Sequence, residues 1–172
     1  PEFLIATGRS INKERMKDQY VVLRAMAFLM LHRGEFKDIP ALQYRGDIDD
    51  FLARFMVYVN DNAPEKLIVD YENLFIRCMQ ISYDLLGENG FRFSGNGIRR
   101  PINMPLFEAL SYLFSFVPEK IDYTWASRLI LDIESVKEEF DDSRYFSGNI
   151  DSTTSVSFRF DRMDKIINRI QL

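Results

Sequence analysis

Residues 8–33 read GRSINKERMKDQYVVLRAMAFLMLHR, the longest uninterrupted helical pattern in the chain. Apolar side chains fall at Met16, Tyr20, Leu23, Ala27 and Met30, the three-and-four spacing of one helix face. Val22, Met26 and Leu29 widen that stripe, so protein is expected against more than one side of this helix. Ser10 or Asn12 can cap it, residues 15–33 form its body, and Gly34 stops it. Arg9, Lys13, Arg15 and Lys17 crowd its N-terminal end, where the helix dipole is already positive. That placement costs up to about 1 kcal/mol unless Glu14, Asp18 or an external anion offsets it.

Working outward, residues 1–8 read as a short lead-in, a helix end closed by Gly8. Residues 35–45 form a loop interrupted by Pro40. Asp47 can cap a second helix, with Asp49 and Asp50 set favourably against its dipole. Phe51, Leu52, Phe55, Met56 and Val59 form its inward face, and it ends near residues 60–62. Pro64 opens a third helix that runs to Leu86, with Gly87 as its cap. Residues 88–103 form a Gly- and Arg-rich loop. A fourth helix starts at Asn103 or Met104 and buries Phe107, Leu110, Leu113 and Phe114. A fifth covers residues 123–140 with Trp125, Leu129, Ile133 and Val136 inside. Ser152, Thr153 or Thr154 caps a sixth running toward Ile170. The expected fold is all-α, a single globular bundle of about six helices in one domain over residues 1–172. The Gly/Arg-rich loop joins the third and fourth of them.

Composition narrows the function classes. The net charge of −4 argues against a uniformly basic nucleic-acid binder but allows a local basic patch. One cysteine, Cys78, and one histidine, His32, leave no internal disulfide and no His/Cys metal site. Cys78 reads as a buried apolar residue, and His32 as facing a helix C-terminus. The aspartates at 47, 49 and 50 lack the Gly and terminal Glu of an EF-hand loop, so no metal is expected there. The longest apolar run, residues 25–31, is too short to span a bilayer. A cytoplasmic location and no membrane partner follow as expectations. The chain opens on Pro1-Glu2-Phe3, without Met, and is expected to be a piece of a longer protein.

Two clusters are candidate phosphate sites. In the loop, Arg92, Arg99 and Arg100 lie among Gly87, Gly90, Gly95 and Gly97, so guanidinium groups and open backbone N–H groups could meet an anion. Phe91 and Phe93 could stack on a base or pin the loop to the core. Alternatively, the arginines pair with nearby Asp and Glu. The second cluster is Arg9, Lys13 and Arg15, with Lys17, as an anion site, a solvated face or a docking seam. Arg24, inside an apolar stretch, is expected to pair with an acid such as Asp18. Acid pairs such as Glu138-Glu139 and Asp141-Asp142 have no nucleophile or base nearby and read as solvated charge, and no catalytic residue is assigned.

Several short strings add a resemblance. They are Arg15-Met16-Lys17-Asp18 with 22–28 (VLRAMAF), Tyr44-Arg45-Gly46 before 51–56 (FLARFM), Gly90-Phe91-Arg92-Phe93, Arg99-Arg100-Pro101-Ile102-Asn103, Leu106-Phe107-Glu108-Ala109, and Thr154-Ser155 before Arg159-Phe160. Their order resembles the C-terminal helical region of the bacterial family typified by the N-terminal part of GmrSD modification-dependent restriction enzymes. The resemblance covers nearly the whole chain. It implies a helical module beside a ParB/sulfiredoxin-like α/β domain, whose Asp-Gly-Gln-Arg type motif is linked to nucleotide hydrolysis or nuclease control. No Asp-Gly-Gln occurs in this chain. The expected function is therefore a non-catalytic module that supports DNA or nucleotide engagement in a defence protein, with no cofactor of its own. Expected partners are DNA or a nucleotide, the front domain of the same protein, and further copies of the chain. The alternative is a helical interaction or scaffold domain with no nucleic-acid role.

Overall fold

A computed structural model of the chain describes residues 1–11, 17–94, 98–146 and 148–170. Among the described residues there are seven helices and no strand. They are α1 (Glu2–Ala6), α2 (Lys17–His32), α3 (Ile48–Asp61), α4 (Glu65–Leu86), α5 (Met104–Phe114), α6 (Tyr123–Asp141) and α7 (Thr153–Ile170). Short 3-10 turns occupy Pro40–Leu42, Gly87–Asn89 and Arg144–Phe146.

The helix starts follow from local chemistry. Asp47 accepts from the N–H of Asp50 at 3.0 Å, Asn103 from Leu106 at 2.9 Å, and Ser152 from Ser155 at 3.1 Å. Each satisfies a backbone donor that the first turn leaves without a partner, worth about 1 kcal/mol. α4 ends where Gly87 takes φ +60°, a conformation that a side chain would strain. The lead-in is itself a helix, α1, which packs on α4.

The centre of the fold is α5. Every residue from Pro105 to Phe114 is buried, so this helix has protein on all sides. α2, α4 and α7 pack against it. α2 turns Val21, Arg24, Ala25 and Phe28 into the core. Its expected stripe is therefore only partly inside: Ala27 and Met30 are buried, while Tyr20 is exposed and Val22, Leu23 and Met26 are half-buried. Met56 on α3 is 44% exposed and not inward, and Trp125 on α6 is half-buried.

Other expectations are corrected by packing. Arg9 lies in the turn after α1, with φ +53°, and is not on the helix that carries Lys17. Lys13, Arg15, Asn12 and Met16 lie outside the described residues, as do Gly95 and Gly97. His32 closes α2 but stacks on Phe160, with ring centroids 3.6 Å apart. Among the described residues no helix is long and apolar enough to cross a membrane.

Candidate functional site

The loop after α4 is fixed by three close approaches. A Cβ on Gly90 would sit 2.5 Å from Ser82 Oγ, so only glycine lets the loop lie against α4 here. Phe91 is fully buried against Phe107, with centroids 4.4 Å apart, and Phe93 packs on Phe146 at 5.7 Å. Both rings pin the loop to the core, which leaves neither face open for a base. Asn103 closes the loop, donating its N–H to the carbonyl of Phe91 at 3.0 Å.

These anchors form one wall of a polar cleft of about 610 Å³, with α6 opposite. Arg92, Arg99, Arg100 and Lys137 line it together with Glu88 and Glu134. Arg92 is buried and its donors are spent internally. Nε donates to Glu88 O at 3.2 Å, and Nη2 to Thr7 O at 3.1 Å and Ser10 Oγ at 2.6 Å. Nη1 donates to Arg100 O. Burial holds its pKa below the usual guanidinium value, and neighbouring Arg99 adds to that. Arg92 thus ties α1, the loop and the cleft floor together. It supplies positive charge to the cleft, and each of its three nitrogens is already hydrogen-bonded internally.

Arg99 and Arg100 are placed differently. Arg99 Nη2 meets Glu88 Oε2 at 2.8 Å. Arg100 pairs with Asp141 at the end of α6, donates to Ser94 O at 3.2 Å, and lies 5.3 Å over the Phe93 ring. The hydrogen bond to Asp141 raises its pKa. Lys137 reaches Glu134 at 2.9 Å and Asn89 O at 3.4 Å. A Cβ on Gly8 would lie 2.0 Å from Arg99 Nη2, so the turn after α1 meets the cleft edge, and Arg9 follows at once, exposed. Arg92, Arg99 and Arg100 are therefore brought together in one cleft, and Arg9 is not among its lining residues.

Comparison with models of protein families, with curated proteins and with solved structures finds no match.

Lys137 and Glu134 were not singled out from the sequence, and Asp141, which with Asp142 reads as solvated charge, is instead the partner of Arg100. The signal was there: Lys137 lies four residues after Ile133 and three before Phe140, in phase with the apolar stripe of α6. The same signal marks a second, largely buried cluster. Arg24 Nε donates to Glu108 Oε1 at 2.6 Å, and its Nη2 to Asp151 Oδ1 at 2.6 Å. These acids, and not Asp18, are its partners. Arg159 Nη2 meets the other Glu108 oxygen at 3.3 Å, and its Nη1 donates to Ile150 O at 2.5 Å. Tyr44 donates its hydroxyl to the carbonyl of Asp151. Burial pushes the Glu108 carboxyl up, while Arg24 and Arg159 pull it back. This cluster joins α2, α5 and α7. It orders the fold.

No ligand set for a metal emerges. Among the described residues no group of three or more His, Cys, Asp or Glu side chains is placed to hold an ion.

Proposed function

We propose that this chain is a non-catalytic helical module of a bacterial defence or restriction-type protein. In this reading it supports DNA or nucleotide engagement by a nuclease or NTPase domain of the same protein, and meets phosphate at the cleft between the α4–α5 loop and α6. The ordered strings that resemble the GmrSD-type family support the module. The observation that carries the phosphate reading is the charge of the cleft. Four cations line it, and three carboxylates, Glu88, Glu134 and Asp141, pair with them, in a chain of net charge −4. Arg92 acts as fixed charge at the back. Arg99 and Arg100 are the working donors, because each is surface-placed and held by a single carboxylate. A phosphate would take over those forks from Glu88 and Asp141.

That exchange gives a test with an uncommon sign. Glu88→Gln together with Asp141→Asn removes the two competitors while keeping their shape. DNA binding at low salt should tighten. Unchanged or weaker binding by the double variant would remove Arg99 and Arg100 from the site.

A helical interaction domain without a nucleic-acid role is the second reading. It is favoured by the apolar side chains left open on α2, α3 and α4.

A further inference from the structure

α2 is apolar on two sides, and the fold covers only one. The uncovered side forms a groove of about 850 Å³ with α3 and α4, lined chiefly by Leu23, Met26, Met56, Val59 and Ile68. That volume lies within the roughly 300–1,000 Å³ typical of ligand sites. A second apolar groove of about 550 Å³ runs along the other side of α3, beside Ala53, Val57 and Tyr58. Met56 and Val57 thus form an exposed ridge between two grooves, 44% and 58% exposed. Met26, Met30 and Met56 give the larger groove an adaptable lining, because unbranched thioethers repack easily.

Charge selects the occupant. Residues 48–86, which hold α3 and α4, carry seven Asp and Glu against three Lys and Arg. Their net charge, 3 − 7 = −4, equals that of the whole chain. The cations are already committed. Arg54 pairs with Asp50 at 2.7 Å, Lys66 with Asp70 at 2.6 Å, and Arg77 donates to Val117 O at 2.5 Å. The groove rim keeps its carboxylates. Asp18 lines it directly, and Glu35 accepts from the hydroxyl of the groove residue Tyr71 at 2.7 Å, offsetting Arg33, which faces the same hydroxyl and also donates to Ser115. Glu65 and Glu72 stand three residues before and four after Ile68, on the same helix face. Neither has an ion pair among the described residues. Lys17, beside Asp18, is the one described cation that α2 adds at this end. A second copy of the chain would set these acids against their equals, which is destabilising.

We propose that this groove docks a basic amphipathic helix of a partner protein. The partner's apolar stripe enters between α2 and the α3–α4 pair, and its flanking Lys or Arg side chains meet Asp18, Glu65 and Glu72. This gives the second reading a partner of stated chemistry. It does not depend on the phosphate cleft, which lies on other residues, so the two can fail separately.

The probe is a Leu/Lys peptide of about fourteen residues, four helical turns, with leucines at i, i+3, i+4 and i+7. Its control keeps the leucines and replaces Lys by Glu. The protein carries methyl-labelled methionine, and NMR follows each methyl group. The Leu/Lys peptide should shift Met26 and Met56 and leave the fully buried Met79 and Met163 in place. It should bind at least about tenfold tighter than the Leu/Glu peptide, and that advantage should shrink at about 0.5 M salt. Met56→Glu with Ile68→Glu should abolish the shifts, with helicity checked by circular dichroism. If that variant fails to fold, the wild-type shift map still decides. Equal binding of both peptides, or shifts that spare Met26 and Met56, overturns the proposal. So does a concentration-dependent Met56 shift without peptide, which would place a second copy in the groove.

Discussion

Replacing Glu108 by Gln should unfold the protein more readily than any surface change of equal size. Glu108 is fully buried and bonds Arg24 at 2.6 Å and Arg159 at 3.3 Å. The amide keeps one acceptor but removes the charge. Arg24 retains Asp151 at 2.6 Å. Arg159, also fully buried, loses the one carboxylate it pairs with among the described residues and keeps the carbonyls of Ile150 and Tyr145. An unpaired buried charge left in this way typically costs about 3–5 kcal/mol. Against a total stability of about 5–15 kcal/mol for a domain, that is a third or more in many cases. For a chain of 172 residues it lowers Tm by about 6–20 °C, at about 2–4 °C per kcal/mol. Urea unfolding followed by circular dichroism and by the single Trp125 measures it. A loss below about 1 kcal/mol would refute the cluster as an ordering element. A second variant checks the cause. Glu108→Leu with Arg24→Met, Arg159→Met and Asp151→Asn, which removes the charges together, should recover much of the loss, because the desolvation of the buried ions disappears as well.

Two further predictions follow from buried titratable groups. Burial beside Phe160, with Arg159 adding to it, pulls the His32 pKa down from 6.5 to about 3. The unfolded chain then binds a proton that the folded one refuses, so this stability is present above pH 6.5 and is lost as pH falls toward 3. The upper bound is about 4–5 kcal/mol; His32→Phe should flatten the stability profile over that window, and identical profiles would disprove it. Cys78 is fully buried, and burial pushes its thiol up to about 12. A disulfide reagent at pH 8 should therefore leave the folded protein untouched and label it stoichiometrically in urea; fast native labelling would place the thiol at the surface.

The helix ends were legible because their causes are local. Asp47, Asn103, Ser152 and Gly87 each act within a few residues of themselves. Which helix is central was not legible. The pattern of α2 is longer and cleaner than that of α5, yet α5 is the one enclosed on all sides. Burial of that kind is a property of the packing and is absent from any one segment. The same limit applies to ion pairs. Asp18 is near Arg24 in the chain, but Glu108 lies 84 residues away and is the actual partner. Charged residues in phase with apolar stripes, Arg24, Lys137 and Arg159, gave the one available hint that distant acids would be needed.

The candidate site divides in the same way. The clustering of Arg92, Arg99 and Arg100 is written in seventeen consecutive residues, 87–103. Their division of labour is not. Arg92 turns inward because Thr7 and Ser10, from the other end of the chain, present oxygens to it. Lys137 lines the cleft, and Asp141 pairs with Arg100, only because α6 packs beside the loop.

The central claim is that Arg99 and Arg100 meet phosphate. Filter binding of DNA at several salt concentrations, wild type against Arg99→Ala with Arg100→Ala, tests it most directly. Wild-type affinity should fall steeply with salt, and the double variant should flatten the log–log slope by roughly 2, one for each lost phosphate contact. The melting curve of the variant should stay close to wild type. An unchanged affinity and slope in a folded variant would contradict the account and leave the loop as a structural connector.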